Sequence, residues 1–457
     1  MISQKLKVIE QMAEGSGLSE EHEERLIQGV SIDSRTVKSG NLFIPIIRNL
    51  DGHNYVEDAI SKGASASLWQ KDHPNPPIHL PLIFVDDCLQ SLQNLAANYR
   101  KGLQIKVIGI TGSNGKTTTK EMLNSVLQTK FRVHKTLGNL NSQIGVPLTI
   151  LDIDKSSEVA VIEMGMSERG QIDRLTRIAQ PDLAVITMIG VSHLLSLGSR
   201  EEIAASKLEI VNGLQNGGVL VYNGDEPLLA KGLEEITSAN PLRTISFGEE
   251  ESNDFKVENT VTNADGSFFT VGDRTYSIPL LGAHNIINAL ATIAIASKLG
   301  VDPAEINEGF QTLKAPGMRM EKIDSPLGFT IINDAWNASP VSMSAAIKTF
   351  EELTGYTRKH LVLGDMLELG DQEQDFHRDI GRDLDPNKIH YVYTVGALSR
   401  HIAFEAEKRF PNGNVQTFMD KRELAEVLTN KVEKNDVILL KGSRGIQLDS
   451  ILPLLLQ

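Results

Sequence analysis

The stretch Lys106-Val107-Ile108-Gly109-Ile110-Thr111-Gly112-Ser113-Asn114-Gly115-Lys116-Thr117-Thr118 decides how this chain folds. Lys106 to Thr111 is an apolar run that reads as a strand, and Lys120 to Leu127 carries a helical period. Between them lies a short glycine loop. Glycines let backbone N–H groups approach phosphate oxygens closely, and the helix that follows presents the positive end of its dipole to the same point. Lys116 supplies a point charge to terminal phosphates, and the Thr117 hydroxyl suits Mg²⁺. Gly112, Ser113, Asn114, Gly115, Lys116, Thr117 and Thr118 are therefore the expected ATP-phosphate site. The loop is a variant, because the general pattern wants glycine where Ile110 stands. A dinucleotide-binding turn needs G-x-G at the loop start, but Gly109 is followed by Ile110-Thr111-Gly112, so that spacing fails. A glycine turn that merely contains a lysine is the remaining alternative. The strand before, the helix after and the terminal Lys-Thr all weigh against it.

Outward from this loop, strands and helices alternate. The apolar runs Val107–Ile110, Val159–Ile162, Leu183–Ile189 and Val219–Tyr222 are separated by helical periods, which implies a parallel sheet covered on both faces. A more antiparallel stretch follows, with Asp265-Gly266 as a turn, and a helix from about Asn285 to Leu299 closes this body. Beyond Lys314-Ala315-Pro316-Gly317 a second alternating series begins with Thr330–Asn333, Leu361–Gly364, Tyr391–Val395 and Val437–Leu440. Ahead of the loop, Leu42–Ile47 and Leu82–Val85 read as strands, and Leu89 to Tyr99 reads as an amphipathic linking helix. Ligands in open α/β sheets bind beyond the carboxyl ends of strands, so Glu163, Asp334, Asp365 and Lys441 are expected to face ligand space.

The bulk numbers agree with a soluble globular protein. At 457 residues the chain exceeds one hydrophobic core. Its net charge of −14 argues against a general nucleic-acid or membrane-surface binder, since a polyanion would be repelled. The single cysteine, Cys88, permits no internal disulfide and favours a reducing compartment. No apolar run reaches membrane-span length, and the first residues lack a signal-peptide core, so a cytoplasmic location is expected.

Several further residues carry chemistry, each with a blander reading beside it. Glu163 at its strand end is either a Mg²⁺ carboxylate or a solvated acid. His193 is either a ligand or a satisfied loop histidine. On a helical wheel of Arg200 to Leu214, Lys207 falls inside the apolar stripe formed by Ile203, Ala204, Leu208, Ile210, Val211 and Leu214. A buried ammonium is costly, so Lys207 either snorkels to water or has a lowered pKa and reacts with CO₂ to give an anionic carbamate. Such a carbamate suits Mg²⁺ beside Glu163 and His193. Asn285 and Asn288 share a helix face and pair donor with acceptor as an adenine edge requires, unless Asn285 merely caps the helix.

Taken in order, Thr111-Gly112-Ser113-Asn114-Gly115-Lys116-Thr117, Glu163-Met164-Gly165-Met166, His193, Lys207 and His284-Asn285-Ile286-Ile287-Asn288 resemble the motifs of the Mur ligases. Further features are similar to the type that joins D-alanyl-D-alanine to UDP-N-acetylmuramoyl-tripeptide. These include Asp33-Ser34-Arg35, Asp51-Gly52-His53, Gly138-Asn139-Leu140-Asn141, Gly317-Met318-Arg319, Asn333-Asp334-Ala335-Trp336-Asn337, Gly364-Asp365-Met366-Leu367-Glu368 and Lys441-Gly442-Ser443-Arg444. The resemblance spans essentially the whole chain.

The resemblance implies three α/β domains: an N-terminal UDP-sugar-binding domain at residues 1–102, a central phosphate-loop domain with a parallel sheet at 103–314, and a C-terminal Rossmann-like domain at 315–457. It assigns Lys116, Lys207, Glu163 and His193 to catalysis, with Thr117, Glu163, His193 and a carbamylated Lys207 at magnesium. Asn285, Asn288, Arg319 and Asp334 go to the nucleotide, the last pair when the C-terminal domain closes. Asp33, Ser34, Arg35, Asn139 and Asn141 go to the peptide-sugar substrate. ATP and Mg²⁺ are the implied cofactors, and the implied product is the UDP-linked pentapeptide precursor of peptidoglycan. The partners expected are these small molecules, with no nucleic acid and no membrane insertion, and the chain is expected to be a monomer.

Some positions depart from the family pattern: Arg48-Asn49-Leu50 ahead of Asp51, Ser142, Val191 and Trp336. They concern the substrate side more than ATP use. A neighbouring ligase, such as folylpolyglutamate synthase or the preceding Mur ligase, is one alternative, and the C-terminal motifs weigh against it. A nucleotide switch without ligase activity is another, and it has no use for Lys207, Glu163 and His193 together.

Overall fold

Along Lys106–Thr111 successive side chains point to opposite faces, and Val107 enters a different core from Ile108 and Ile110. Val107 joins a cluster with Ala160, Ile162, Leu175 and Leu95, whereas Ile108 and Ile110 join one with Leu123, Val126, Ile286 and Leu290. A strand buried on both faces in this way belongs at the centre of a parallel sheet. The computed structural model, which describes residues 1–236, 242–263, 266–314 and 317–456, places it there. The spatial order is Phe255–Lys256, Arg243–Gly248, Val219–Asn223, Leu183–Ile186, Lys106–Thr111, Val159–Glu163 and Val133–Lys135, with every pairing parallel. Helices Lys116–Leu127, Ala283–Lys298 and Pro303–Gln311 cover one face, and helices Cys88–Lys101, Gly145–Leu151 and Gln171–Ala179 cover the other.

The elements differ from the sequence reading at their ends. The run Leu183–Ile189 stops pairing at Ile186, because Thr187 turns its hydroxyl onto the phosphate loop. The strand at Leu42–Ile47 is only Leu42–Phe43, and the chain leaves the sheet before Pro45, which has no N–H to give a ladder. The phosphate-loop helix begins at Lys116, a full turn before Lys120. The central body does not close at Leu299: helix Pro303–Gln311 follows, started by an Asp302–Glu305 capping box. Strands Glu258–Asn263, Gly266–Val271 and Arg274–Ile278 form the expected antiparallel ribbon. Asp265, in its turn, and Ala315-Pro316, at the expected domain junction, lie outside the described residues.

Ahead of the loop, Val30–Ser31, Leu42–Phe43, Ala66–Gln70 and Leu82–Val85 form a parallel sheet. Its core is continuous with the central one, and polar groups tie the two bodies together. The Arg100 guanidinium donates to Ala179 O at 2.8 Å and Gln180 O at 3.0 Å, and the amino terminus donates to Ile153 O at 2.8 Å. After Gly317 the strand order is Glu321–Asp324, Thr330–Asp334, Val437–Lys441, Lys359–Gly364, Tyr391–Val395 and Val415–Phe418, parallel except for the first pair. The fold is α/β throughout. Among the described residues no helix is long and apolar enough to cross a membrane.

Candidate active site

The loop between strand and helix is shaped by close approach. Gly112 has φ +148°, and a Cβ there would lie 1.9 Å from Thr187 Oγ1; Gly115 has φ +83°, and a Cβ there would lie 2.3 Å from Asn288 Oδ1. Only glycine fits either position. Thr187 Oγ1 donates to Asn114 O at 2.5 Å, which fastens the loop to the neighbouring strand end. Lys116 folds back over the loop and donates to Gly112 O at 2.7 Å and Ser113 O at 3.4 Å. Burial pushes its pKa down, opposed by Glu163. The Ser113 hydroxyl is buried with no hydrogen-bond partner.

Glu163 ends the adjacent strand and is 1% exposed, so it is not a solvated acid. Its Oε1 accepts from Thr117 Oγ1 at 3.2 Å and from Asn141 Nδ2 at 2.8 Å, while its Oε2 is buried without a hydrogen bond. Lys207 is 2% exposed and does not snorkel: among the described residues it makes no hydrogen bond or ion pair. Burial first, and then the charge of Lys116, hold its pKa well below the lysine range. His193 sits at φ +65° and pairs through Nδ1 with Glu368 Oε2 at 3.1 Å. Burial lowers its pKa; Glu368 opposes this, while Lys116 and Lys207 add to it.

On the other side of the loop a cavity of about 290 Å³ is lined by Gly115, Asn285, Asn288, Arg319, Asp334 and Trp336, among others. Asn285 does not cap its helix, since Gly282 holds that position; it donates instead to Leu281 O at 2.8 Å. Asn288 donates to Asn285 Oδ1 at 3.3 Å and accepts from Thr119 Oγ1 at 3.4 Å. Asp334 is gripped by Lys441 at 2.6 Å, and Arg319 lies 5.8 Å from the centroid of the Trp336 ring, which can stack or clamp. Burial lowers the Arg319 pKa, opposed by Glu163 and Asp334. Both sheets therefore already meet at this cavity, and Asn114 Nδ2 donates to Ser339 Oγ across the seam at 3.2 Å.

Not every expected residue is here. Asp365 points into its own body, where Oδ1 accepts from Leu398 N at 3.1 Å and Ser399 N at 2.7 Å. Its strand-end position is used to hold a loop. Asp33, Ser34 and Arg35 form a closed local turn: Asp33 pairs with Arg35 at 2.7 Å, and that contact holds its pKa at about 2. The turn stands beside a cavity of about 320 Å³, lined by Ser31, Thr36, Lys38, His134 and Leu140 between the first two sheets, without lining it itself. Asn139 and Asn141 line a third cavity, of about 240 Å³, together with Thr117, Glu163 and Arg319. Lys120 also lines that cavity and was absent from the sequence reading. Its spacing of one helical turn from Lys116 was the available signal.

A phosphate loop, a strand-end carboxylate and a buried amine at the seam of two parallel sheets define a class of nucleotide-using α/β enzymes, and the comparisons resolve it further. Residues 26–100 match the Mur ligase family catalytic domain, 110–296 the Mur ligase middle domain and 318–444 the Mur ligase glutamate ligase domain. The chain belongs to the Mur ligase family. It is 46% identical to the UDP-N-acetylmuramoyl-tripeptide--D-alanyl-D-alanine ligase of Bacillus subtilis, over 99% of this chain and 98% of that one. A crystal structure of MurF from Acinetobacter baumannii superposes with a TM-score of 0.89 at 28% identity, covering 100% of this chain and 99% of that one. MurF ligase from Thermotoga maritima in complex with ADP gives 0.81 at 28% identity, covering 94% and 97%.

Proposed function

We propose that this ligase joins D-alanyl-D-alanine to UDP-N-acetylmuramoyl-tripeptide at the expense of ATP, in the cytoplasm and as a monomer. The carrying observation is the seam itself: Lys116, Glu163 and Arg319 converge there from two sheets, and Lys116 acts electrostatically on Lys207. The matched relatives support the substrate pair. We read residues 1–102, 103–314 and 315–457 as its UDP-sugar, ATP and closing domains.

The 290 Å³ cavity suits the adenosine, with the amides of Asn285 and Asn288 toward the base and Arg319 and Asp334 toward the nucleotide from the far side. The phosphates then lie over the loop, against its N–H groups and Lys116. Asp33, Ser34 and Arg35 flank the region read as the UDP end, and Asn139 and Asn141 face the peptide end.

Magnesium fits the donor set. The buried Glu163 Oε2 has no hydrogen-bond partner, and the Thr117 hydroxyl and His193 supply further hard or borderline donors. A carbamate on Lys207 would add an anionic oxygen ligand. When bound, the metal neutralises charge on the transferred phosphoryl group.

The terminal carboxylate of the tripeptide attacks the γ-phosphorus of ATP, the bond to the β–γ bridging oxygen breaks, and ADP leaves an acyl phosphate. The amine of D-alanyl-D-alanine attacks the acyl carbon, and the tetrahedral intermediate expels inorganic phosphate as the amine loses a proton. Both steps gather negative charge, which Lys116 and Arg319 offset. The closed seam keeps water from the acyl phosphate. The test is phosphate release from ATP with each substrate alone and with both. Release that needs both supports the reading, and release indifferent to D-alanyl-D-alanine removes it.

A further inference from the structure

We propose that Lys120 contacts the substrate: its ammonium binds the peptide carboxylate that ATP phosphorylates. This rests on the ligase reading above and adds a residue to it.

Lys120 lies one turn beyond Lys116 on the phosphate-loop helix and is 1% exposed. An ammonium has three N–H donors, and a lysine buried only for the fold is expected to satisfy them. This one donates a single hydrogen bond, to Gly138 O at 3.2 Å. The carboxylates of Glu121 and Glu163 stand at 3.4 and 3.5 Å, within ion-pair range but not hydrogen-bonded to it. Glu121 is already held by Lys135. Lys120 thus keeps donor capacity, and it lines the 240 Å³ cavity with Thr117, Asn139, Asn141, Glu163 and Arg319.

The charge in that cavity selects its occupant. Lys120 and Arg319 balance Glu121 and Glu163 in the protein alone. A divalent ion at Glu163 Oε2, which accepts no hydrogen bond, would leave an excess of positive charge that an anion must answer. The nucleotide phosphates are provided for by the glycine loop. Arg319 and Trp336 line both this cavity and the nucleotide cavity, so the two share a wall. An anion held here faces the phosphates across that wall. In the proposed reaction the acceptor carboxylate must do so, and the side-chain amides of Asn139 and Asn141 are there to assist it.

Titration calorimetry separates a contact from a structural role. UDP-N-acetylmuramoyl-tripeptide and its analogue with a terminal carboxamide are titrated into the Mg²⁺-loaded enzyme with a non-hydrolysable ATP analogue. Wild type should prefer the carboxylate by about tenfold, as a charge-assisted hydrogen bond would give. Lys120→Met should bind the two alike, with the carboxamide affinity unchanged, and Lys120→Arg should keep part of the preference. Full preference retained in Lys120→Met overturns the proposal, as does equal weakening of both ligands, the mark of a merely structural role. If Lys120→Met fails to fold, Lys120→Gln is titrated in its place with the same criteria. No preference in wild type also overturns it; two-substrate phosphate release then shows whether the ligase reading falls too.

Discussion

Lys207 concentrates the conflict between folding and chemistry. Lys207 is 2% exposed, and its amine is unpaired among the described residues and held well below its ordinary pKa, which leaves a nucleophile able to take up CO₂. Lys207→Ala should lose activity that short carboxylates partly restore, since they replace the missing anionic oxygens; a turnover assay with added formate or acetate checks this. Lys207→Met should be inactive yet more stable than the wild type by about 1–3 kcal/mol in CO₂-free buffer, because an unpaired polar group leaves the core. Chemical denaturation measures it. Lys116 makes the complementary case: Lys116→Ala should lower kcat about a hundredfold to a thousandfold with little change in melting temperature, since the charge acts on the transition state. Steady-state kinetics beside a thermal scan would separate the two effects.

At the scale of elements, the phosphate loop works because two glycines let neighbouring side chains come closer than a Cβ permits. Gly115→Ala would drive a methyl into Asn288 and force a positive φ on alanine. Nucleotide affinity should fall more than tenfold, about 1.4 kcal/mol, while the sheet persists; nucleotide titration with circular dichroism tests this. The last sheet is pinned differently. Asp436 is fully buried and accepts from Arg358 Nη2 at 2.8 Å, with His360 Nε2 at 3.2 Å. Burial alone would raise the Asp436 pKa, but the Arg358 bond holds it below the ordinary 3.8. Its contribution is therefore complete above pH about 4 to 5 and is lost as pH falls through the lower folded value. Asp436→Asn should remove about 1–3 kcal/mol, because the half-buried Arg358 guanidinium and the buried His360 lose a charged partner while Arg358 keeps Glu433.

For the whole molecule, the N-terminal and central sheets share one core, while the last sheet buries its own. Calorimetry should show two transitions, one for the first two bodies together and one for the third, and Asp436→Asn should lower only the second. The sheets were legible because apolar runs of strand length recur between helical periods. Their ends were less so: Ile186 stops pairing because of Asn114, far away in the chain, whereas the break after Phe43 is local, at Pro45. Lys207 could be found from its helix alone, because an ammonium inside an apolar stripe breaks the pattern. Lys120 shares a helix face with Lys116, but its surroundings were not legible, because Glu163 arrives from a strand and Gly138 from a loop.

The local order of residues determined the phosphate loop, the alternation of strand and helix, and the place of Lys207 within an apolar stripe, since each depends on spacing within a few turns of chain. Only the tertiary structure decided that Glu163 is sealed, that Asp365 holds a loop, and that Arg319 and Trp336 complete the cavities. Those outcomes depend on which distant groups share a small volume, and burial and charge at a site are set by its neighbours in space.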